Sequence, residues 1–183
     1  MNSINANQAE DNRKDLGTQE AIQKINEVVK KAHTCFFCTS VSVGGSDAAR
    51  PMAVQQVDEE GNLWFLSASD SNKNKELALN PFVKLYFQGS PHSDFLQLNG
   101  TATISTDKAK IKELWEFVIK TRFTDGVEDS RITVIKVAPI DRYYWNTKHG
   151  NLVAGVKMLI GAAIGKSLDD SIEGTVSIQK AEL

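Results

Sequence analysis

The sequence predicts a mainly β domain, a small antiparallel barrel with peripheral helices. Two observations carry this. Six or so short segments of strand character are joined by tight turn signals, which favours antiparallel neighbours. The helical stretches are few, and the clearest of them carry one apolar stripe each, as helices packed on a sheet do.

Thr18 is a candidate N-cap, and Ile22, Ile25, Val28, Val29 and Ala32 follow at helical spacing. Phe36 to Val43 reads as the first strand, ended by the turn signal Gly44-Gly45. Arg50 to Val57 is the second strand, Asp58 to Gly61 a hairpin turn, and Leu63 to Ala68 the third strand. Ser71 to Asn80 is a short helix that Pro81 cannot continue, because proline lacks the N–H and biases its predecessor away from helix. Phe82 to Phe87 is the fourth strand. In the fifth, Leu96, Leu98, Ala102 and Ile104 alternate with Gln97, Asn99, Thr101 and Thr103, the mark of a half-buried strand. Gly100 breaks that alternation and marks a bulge or bend. Asp107 caps a helix whose Ile111, Leu114, Trp115 and Val118 form a core-facing stripe. Ile132 to Val137 and Ile140 to Trp145 are two further strands separated by Pro139. Leu152 to Gly165 favours helix, and Thr175 to Ile178 an edge strand.

A chain of 183 residues is expected to form one domain and to bury roughly 70% of its unfolded surface, so it needs neither disulfide nor metal to fold. Residues 1–17 read as a disordered tail, 18–150 as the barrel domain and 151–183 as a helix and extension packed on it. The formal charge of -2 gives no electrostatic reason to expect nucleic acid. No apolar run reaches the ~20 residues of a membrane span. The polar N-terminus lacks an apolar signal core, so the reading is cytoplasmic.

Cys35 and Cys38 have Cys-x-x-Cys spacing, but they fall on a predicted strand, where positions i and i+3 point to opposite faces. Their sulfurs are not expected to meet, and no second pair completes a zinc site. His33, His92 and His149 are scattered, without metal-ligand spacing. Neither Gly44-Gly45 nor Gly161-x-x-x-Gly165 is followed by the Lys-Ser/Thr of a phosphate loop.

The richest stretch runs from Arg50 to Pro81. Arg50 opens a strand, and Ser71, Asn72 and Lys73 open a helix, whose free N–H groups and dipole favour an anion. Lys75 is a further cation nearby. Singly, Arg50, Lys73 and Lys75 read as solvated charges and Ser71 as an N-cap; together they are a good place to hold a phosphate. Trp145, from its residue type alone, is equally a core aromatic or a ligand wall.

Arg50-Pro-Met, Asp58-Glu-Glu-Gly61 between two strands, Ser71-Asn72-Lys73, and Asn80-Pro81 before a strand together resemble the core pattern of the pyridoxamine phosphate oxidase relatives. The resemblance covers Thr34 to Trp145. Trp115, the stretch Phe123-Thr-Asp-Gly126-Val-Glu-Asp129-Ser130, and Tyr144-Trp145 resemble the general stress proteins of that superfamily. This implies an antiparallel, Greek-key-like split β-barrel that forms a homodimer and binds one flavin mononucleotide (FMN) per subunit at the interface. Arg50 and Lys73 would hold the phosphate, with Ser71 and Asn72 beside them. Met52, Phe65, Leu66 and Ser67 would lie along the ring and ribityl chain, partly through backbone groups. Trp145 would face the flavin, from either subunit.

Three departures argue against pyridoxamine phosphate as the substrate. Gln55 stands where the oxidase has a lysine for the substrate phosphate, Asn72 where it has an arginine, and Asn146-Thr147-Lys148-His149-Gly150 replaces its Arg/His-rich segment. Three functions stay open: an FMN-dependent oxidoreductase using NAD(P)H and an unknown acceptor, a flavin-storing or stress-sensing protein, and a related barrel holding haem or a deazaflavin. Tyr143, Tyr144 and His149 are the candidate proton donors; haem would need an axial ligand that the histidines are poorly spaced to supply.

Overall fold

The computed structural model describes residues 12–45, 48–115, 126–147 and 171–175. Their elements are α1 (Thr18–Ala32), β1 (Thr34–Thr39), β2 (Ala49–Ala53), β3 (Gln56–Val57), β4 (Leu63–Ala68), α2 (Asn72–Leu79), β5 (Phe82–Gln88), β6 (Phe95–Ser105), α3 (Lys108–Leu114), β7 (Ile132–Thr147) and β8 (Ser171–Thr175). A 3-10 turn covers Gly126–Glu128. The strands form one eight-stranded sheet in the order β2-β1-β5-β6-β7-β4-β3, with β8 added to β7. Every strand pair in it is antiparallel.

The predicted second strand, Arg50 to Val57, is in fact two. β2 pairs with β1 and β3 with β4, at opposite ends of the strand order, and only Val54 and Gln55 separate them. The Val54 N–H donates to the His33 carbonyl (3.0 Å) and the Gln55 N–H to the Trp64 carbonyl (2.8 Å). The chain thereby changes neighbours in mid-strand and closes the sheet into a split β-barrel.

The two strands predicted around Pro139 are one. Asn99 pairs with Asp141 and Gly100 with Pro139, so Ile140 is the extra residue of a bulge. The bulge reverses the strand's parity. Ile135 and Val137 face the main core before it; Arg142 and Tyr144 are the buried residues after it. Pro139 is tolerated because the ladder is interrupted there. A Cβ on Gly100 would lie 2.7 Å from the Ala138 carbonyl oxygen and 2.9 Å from Val137 Cγ1, so glycine permits this close approach.

α1 buries Ala21, Ile25, Val28 and Val29 on the barrel. Its N-cap is Gly17; Thr18, predicted as the cap, is the first helical residue. The tail expected to be disordered through residue 17 is tied down from Asn12. Residues 12–16 run beside β8, with the Lys14 N–H on the Glu173 carbonyl, the Glu173 N–H on the Asn12 carbonyl and the Leu16 N–H on the Thr175 carbonyl, each at 2.9 Å. Of the edge strand expected at Thr175 to Ile178, Thr175 is the last residue of β8 (Ser171–Thr175), and residues 176–178 lie outside the described residues. Val118, the Leu152–Gly165 stretch and His149 lie outside the described residues.

A second, smaller core lies on the other face of β4 and β7. There Ile111 and Leu114 of α3 pack on Ile132 and Val134, flanked by Trp64 and Leu66. Asp107 caps α3 as predicted, accepting from Ala109 and Lys110, but Trp115 is the C-cap rather than a helical residue. Cys35 is buried and Cys38, on the opposite face of β1, is half-buried; both are free. No helix among the described residues is long and apolar enough to cross a membrane.

Candidate functional site

The site forms where β2 meets α2. Arg50 and Met52 alternate with Pro51 along β2, and their cross-strand partners Phe37 and Cys35 are buried. Both side chains therefore turn inward, toward α2. Ser71 caps α2, its hydroxyl accepting from the Asn74 N–H at 3.2 Å. Asn80 and Pro81 end the helix as predicted.

α2 buries Lys73, Asn74, Glu76 and Leu77, three of them polar. Buried polar groups demand partners. Asn74 finds three: its amide oxygen accepts from Ser67 Oγ (2.8 Å) and from Ser71 Oγ (3.3 Å), and its NH2 donates to Thr133 Oγ1 (2.8 Å). Thr133 in turn donates to the Ser67 carbonyl at 3.1 Å. This network locks the start of α2 onto β4 and β7.

Glu76 is fully buried. Its carboxylate accepts from Arg50 Nη1 (2.6 Å), Arg50 Nη2 (3.1 Å), Thr39 Oγ1 (2.7 Å) and the Val43 N–H (3.1 Å). Burial pushes this carboxyl up, but the bonds from Arg50, Thr39 and Val43 outweigh it and hold the group at about 2. The same bonds draw the β1–β2 turn over α2. Gly44 in that turn has φ +71°, and a Cβ there would meet Asn72 Nδ2 at 3.5 Å. Lys73 is 7% exposed, and its ammonium lies 3.0 Å from Met52 Sδ.

The structure thus brings Arg50, Met52, Ser71, Asn72 and Lys73 to one corner of the barrel. Ser67 joins them through Asn74. Phe65 and Leu66 are neighbours in sequence and therefore face opposite sides of β4. Phe65 is in the main core, edge-on to Phe37 at 5.3 Å between ring centroids, and Leu66 packs against the α3 cluster. A ligand beside β4 can touch at most one of these two side chains; the other can offer only backbone.

Trp145 is not a core aromatic. It is 41% exposed on the outer face, with its ring against Tyr143 at 4.4 Å, and its cross-strand partners are Phe95 and Glu173. Within one chain it is not brought to the inward-facing Arg50 and Lys73. It belongs to an outer aromatic surface. Phe36, 60% exposed, pairs across the sheet with Tyr86, Tyr86 with Gln97, and Gln97 with Tyr143.

Glu76, Asn74, Thr39 and Thr133 were not among the expected site residues. One signal was available. Lys73, Asn74, Glu76 and Leu77 have the i, i+1, i+3, i+4 spacing of a buried helix face, but carry polar groups there.

The sequence model of the family described as pyridoxamine 5'-phosphate oxidase like matches residues 20–169. The chain belongs to that family. Among its relatives, protein bli-3 of Neurospora crassa is 27% identical over 134 residues, 67% of this chain and 64% of that protein. The chain therefore spans less than two thirds of that relative's length. A structure described as a general stress protein 26 from Jannaschia sp. CCS1 superposes with a TM-score of 0.70 at 20% identity, over 87% of this chain and 99% of that one. The general stress FMN/FAD binding protein of Xanthomonas citri gives a TM-score of 0.55 at 22% identity, over 67% and 85% of the two chains. These likenesses establish that this pyridoxamine 5'-phosphate oxidase-like chain shares their split-barrel fold.

Proposed function

We propose that this chain binds one FMN per protomer, with the phosphate at the β2–α2 corner. The observation that carries the reading is Lys73: a lysine only 7% exposed at the first turn of a helix, beside Arg50, in a barrel of this family. A buried cation at a helix start favours an anionic ligand. The donor set also fits, since Arg50, Lys73, Ser71, Asn72 and the first N–H groups of α2 are phosphate donors by chemistry. Met52, Phe65, Leu66 and Ser67 would then border the ring and ribityl chain. Bound flavin supplies hydride and single-electron transfer; the protein supplies position and electrostatics.

The partner is a second copy of this chain. Phe36, Tyr86 and Trp145 are exposed aromatics on one continuous sheet face, the composition of an interface core. Such a dimer lets Trp145 of one protomer wall the flavin of the other. We assign the protein to the cytoplasm and its activity to an FMN-dependent oxidoreductase that takes hydride from NAD(P)H; cell fractionation tests the first.

A storage or sensing role is the second reading, favoured by the lack of a recognisable substrate motif in the sequence. Burial also pushes the hydroxyls of Tyr143 and Tyr144 up, Tyr143 to about 12, which makes them weaker acids. The deciding test begins with the visible spectrum after FMN addition and desalting. Retained flavin bands support the cofactor, and a colourless protein overturns it. Steady-state NAD(P)H oxidation by the loaded protein then separates enzyme from store.

A further inference from the structure

Glu76 is the most deeply buried charge at the site, and phosphate binding as described makes no use of it. A carboxylate beside a phosphate site repels the ligand, so its place there calls for another role. Four donors converge on this one, from three elements: Thr39 on β1, Val43 in the β1–β2 turn, and both terminal nitrogens of Arg50 on β2. Arginine has a long, rotamer-rich side chain, and a two-point grip on its planar fork fixes both position and plane.

We infer that Glu76 is a positioning residue of the phosphate site: it orients Arg50 and the β1–β2 turn, and it offsets the charge of Arg50. The inference rests on the flavin reading above and deepens it. Among Arg50, Glu76 and Lys73 the formal charges sum to one positive, not two. The two views of Glu76 predict opposite signs. If the carboxylate were only a neighbouring negative charge, Glu76→Gln would add a net positive charge and tighten FMN binding. If it positions Arg50, the same change loosens binding despite the added charge.

The test compares Kd for FMN and for riboflavin, which lacks the phosphate, in full-length parent, Glu76→Gln and Lys73→Met proteins. The parent is expected to prefer FMN. Glu76→Gln should weaken FMN by about tenfold or more, the range of a lost charge-assisted bond, and leave riboflavin within about twofold. Lys73→Met should also weaken FMN and remove most of the salt dependence of its Kd, whereas Glu76→Gln should retain that dependence. Equal weakening of FMN and riboflavin in a folded Glu76→Gln protein overturns the positioning role. Unchanged or tighter FMN binding in Glu76→Gln overturns it too, and leaves the flavin site standing. A parent protein that binds neither flavin overturns the flavin reading, and this inference with it. Where Glu76→Gln does not fold, Thr39→Val removes one donor to the same carboxylate. The FMN-to-riboflavin preference should fall in the same direction, and an unchanged preference in folded Thr39→Val overturns the role.

Discussion

Lys73 and Met52 meet across the β2–α2 corner, the ammonium 3.0 Å from the thioether sulfur. Sulfur is a weak acceptor for so strong a donor. The contact keeps a buried cation at the helix start, where an arriving anion can take it over. Lys73→Met is therefore expected to reduce FMN affinity by about tenfold or more in a protein that remains folded. Desalting retention and calorimetry check the two halves. A variant that keeps its flavin would place the phosphate elsewhere.

The Glu76 carboxyl stands at about 2 in the folded chain, below its ordinary value of 4.5. A depressed carboxyl contributes stability above its unfolded value and loses it as pH falls through the folded one. The contribution of Glu76 is thus full above about pH 4.5 and fades between there and about pH 2. Glu76→Gln should be less stable at neutral pH, by about 3–5 kcal/mol for one broken partner of a buried pair. The gap between parent and variant should narrow across that window. Denaturant titrations at several pH values measure it, and a pH-independent gap would mean that the ion pair does not link to folding.

Arg142 is 5% exposed behind the Ile140 bulge and donates from Nη2 to the Pro139 carbonyl at 2.9 Å. Its Nε and Nη1 are buried without a hydrogen-bond partner among the described residues, and burial holds its pKa down at about 10. An unsatisfied buried charge is costly, and an apolar group of similar length removes that cost. Arg142→Met is expected to stabilise the protein by about 1–3 kcal/mol, raising the thermal midpoint by several degrees. A lower midpoint would show that the guanidinium is needed where it stands.

The proposed dimer uses the outer face. A charge placed among its aromatics should cost assembly more than folding, because Phe36 is 60% exposed in the single chain. Phe36→Asp is expected to be folded and monomeric at micromolar concentration, while the parent is a dimer by light scattering. Trp145→Ala should relieve quenching of flavin fluorescence, and if the ring is walled from the second protomer, Phe36→Asp should do the same. An unchanged mass for the variant would move the interface off this face.

Much of the chain was legible because the rules involved are local. β4 spans the predicted Leu63 to Ala68, since a turn at Asp58 to Gly61 and a cap at Ser71 bracket an apolar run. α2 starts and stops where Ser71 and Pro81 require. Gly100 marked its bulge because no other residue fits 2.7 Å from a backbone oxygen. Cys35 and Cys38 separate by simple strand alternation. The corner that gathers Arg50, Ser71, Asn72 and Lys73 was also legible, through the order of its motifs.

Only the tertiary structure decided the rest. The break at Val54–Gln55 exists because the barrel must close there, and nothing within a few residues states that. Proline at 139 reads as a strand end until the bulge opposite it supplies a place where no N–H is needed. The tail from Asn12 to Gly17 looks unstructured until β8 offers it an edge. Glu76 looks like an ordinary helical surface acid, yet it is the carboxylate that holds Arg50, 26 residues away. Trp145 faces outward, away from the corner formed within its own chain. Periodicity, capping and proline act between near neighbours, so composition and order record them. Burial of a charge, closure of a sheet and the choice of face depend on contacts between distant segments, which the folded chain alone brings together.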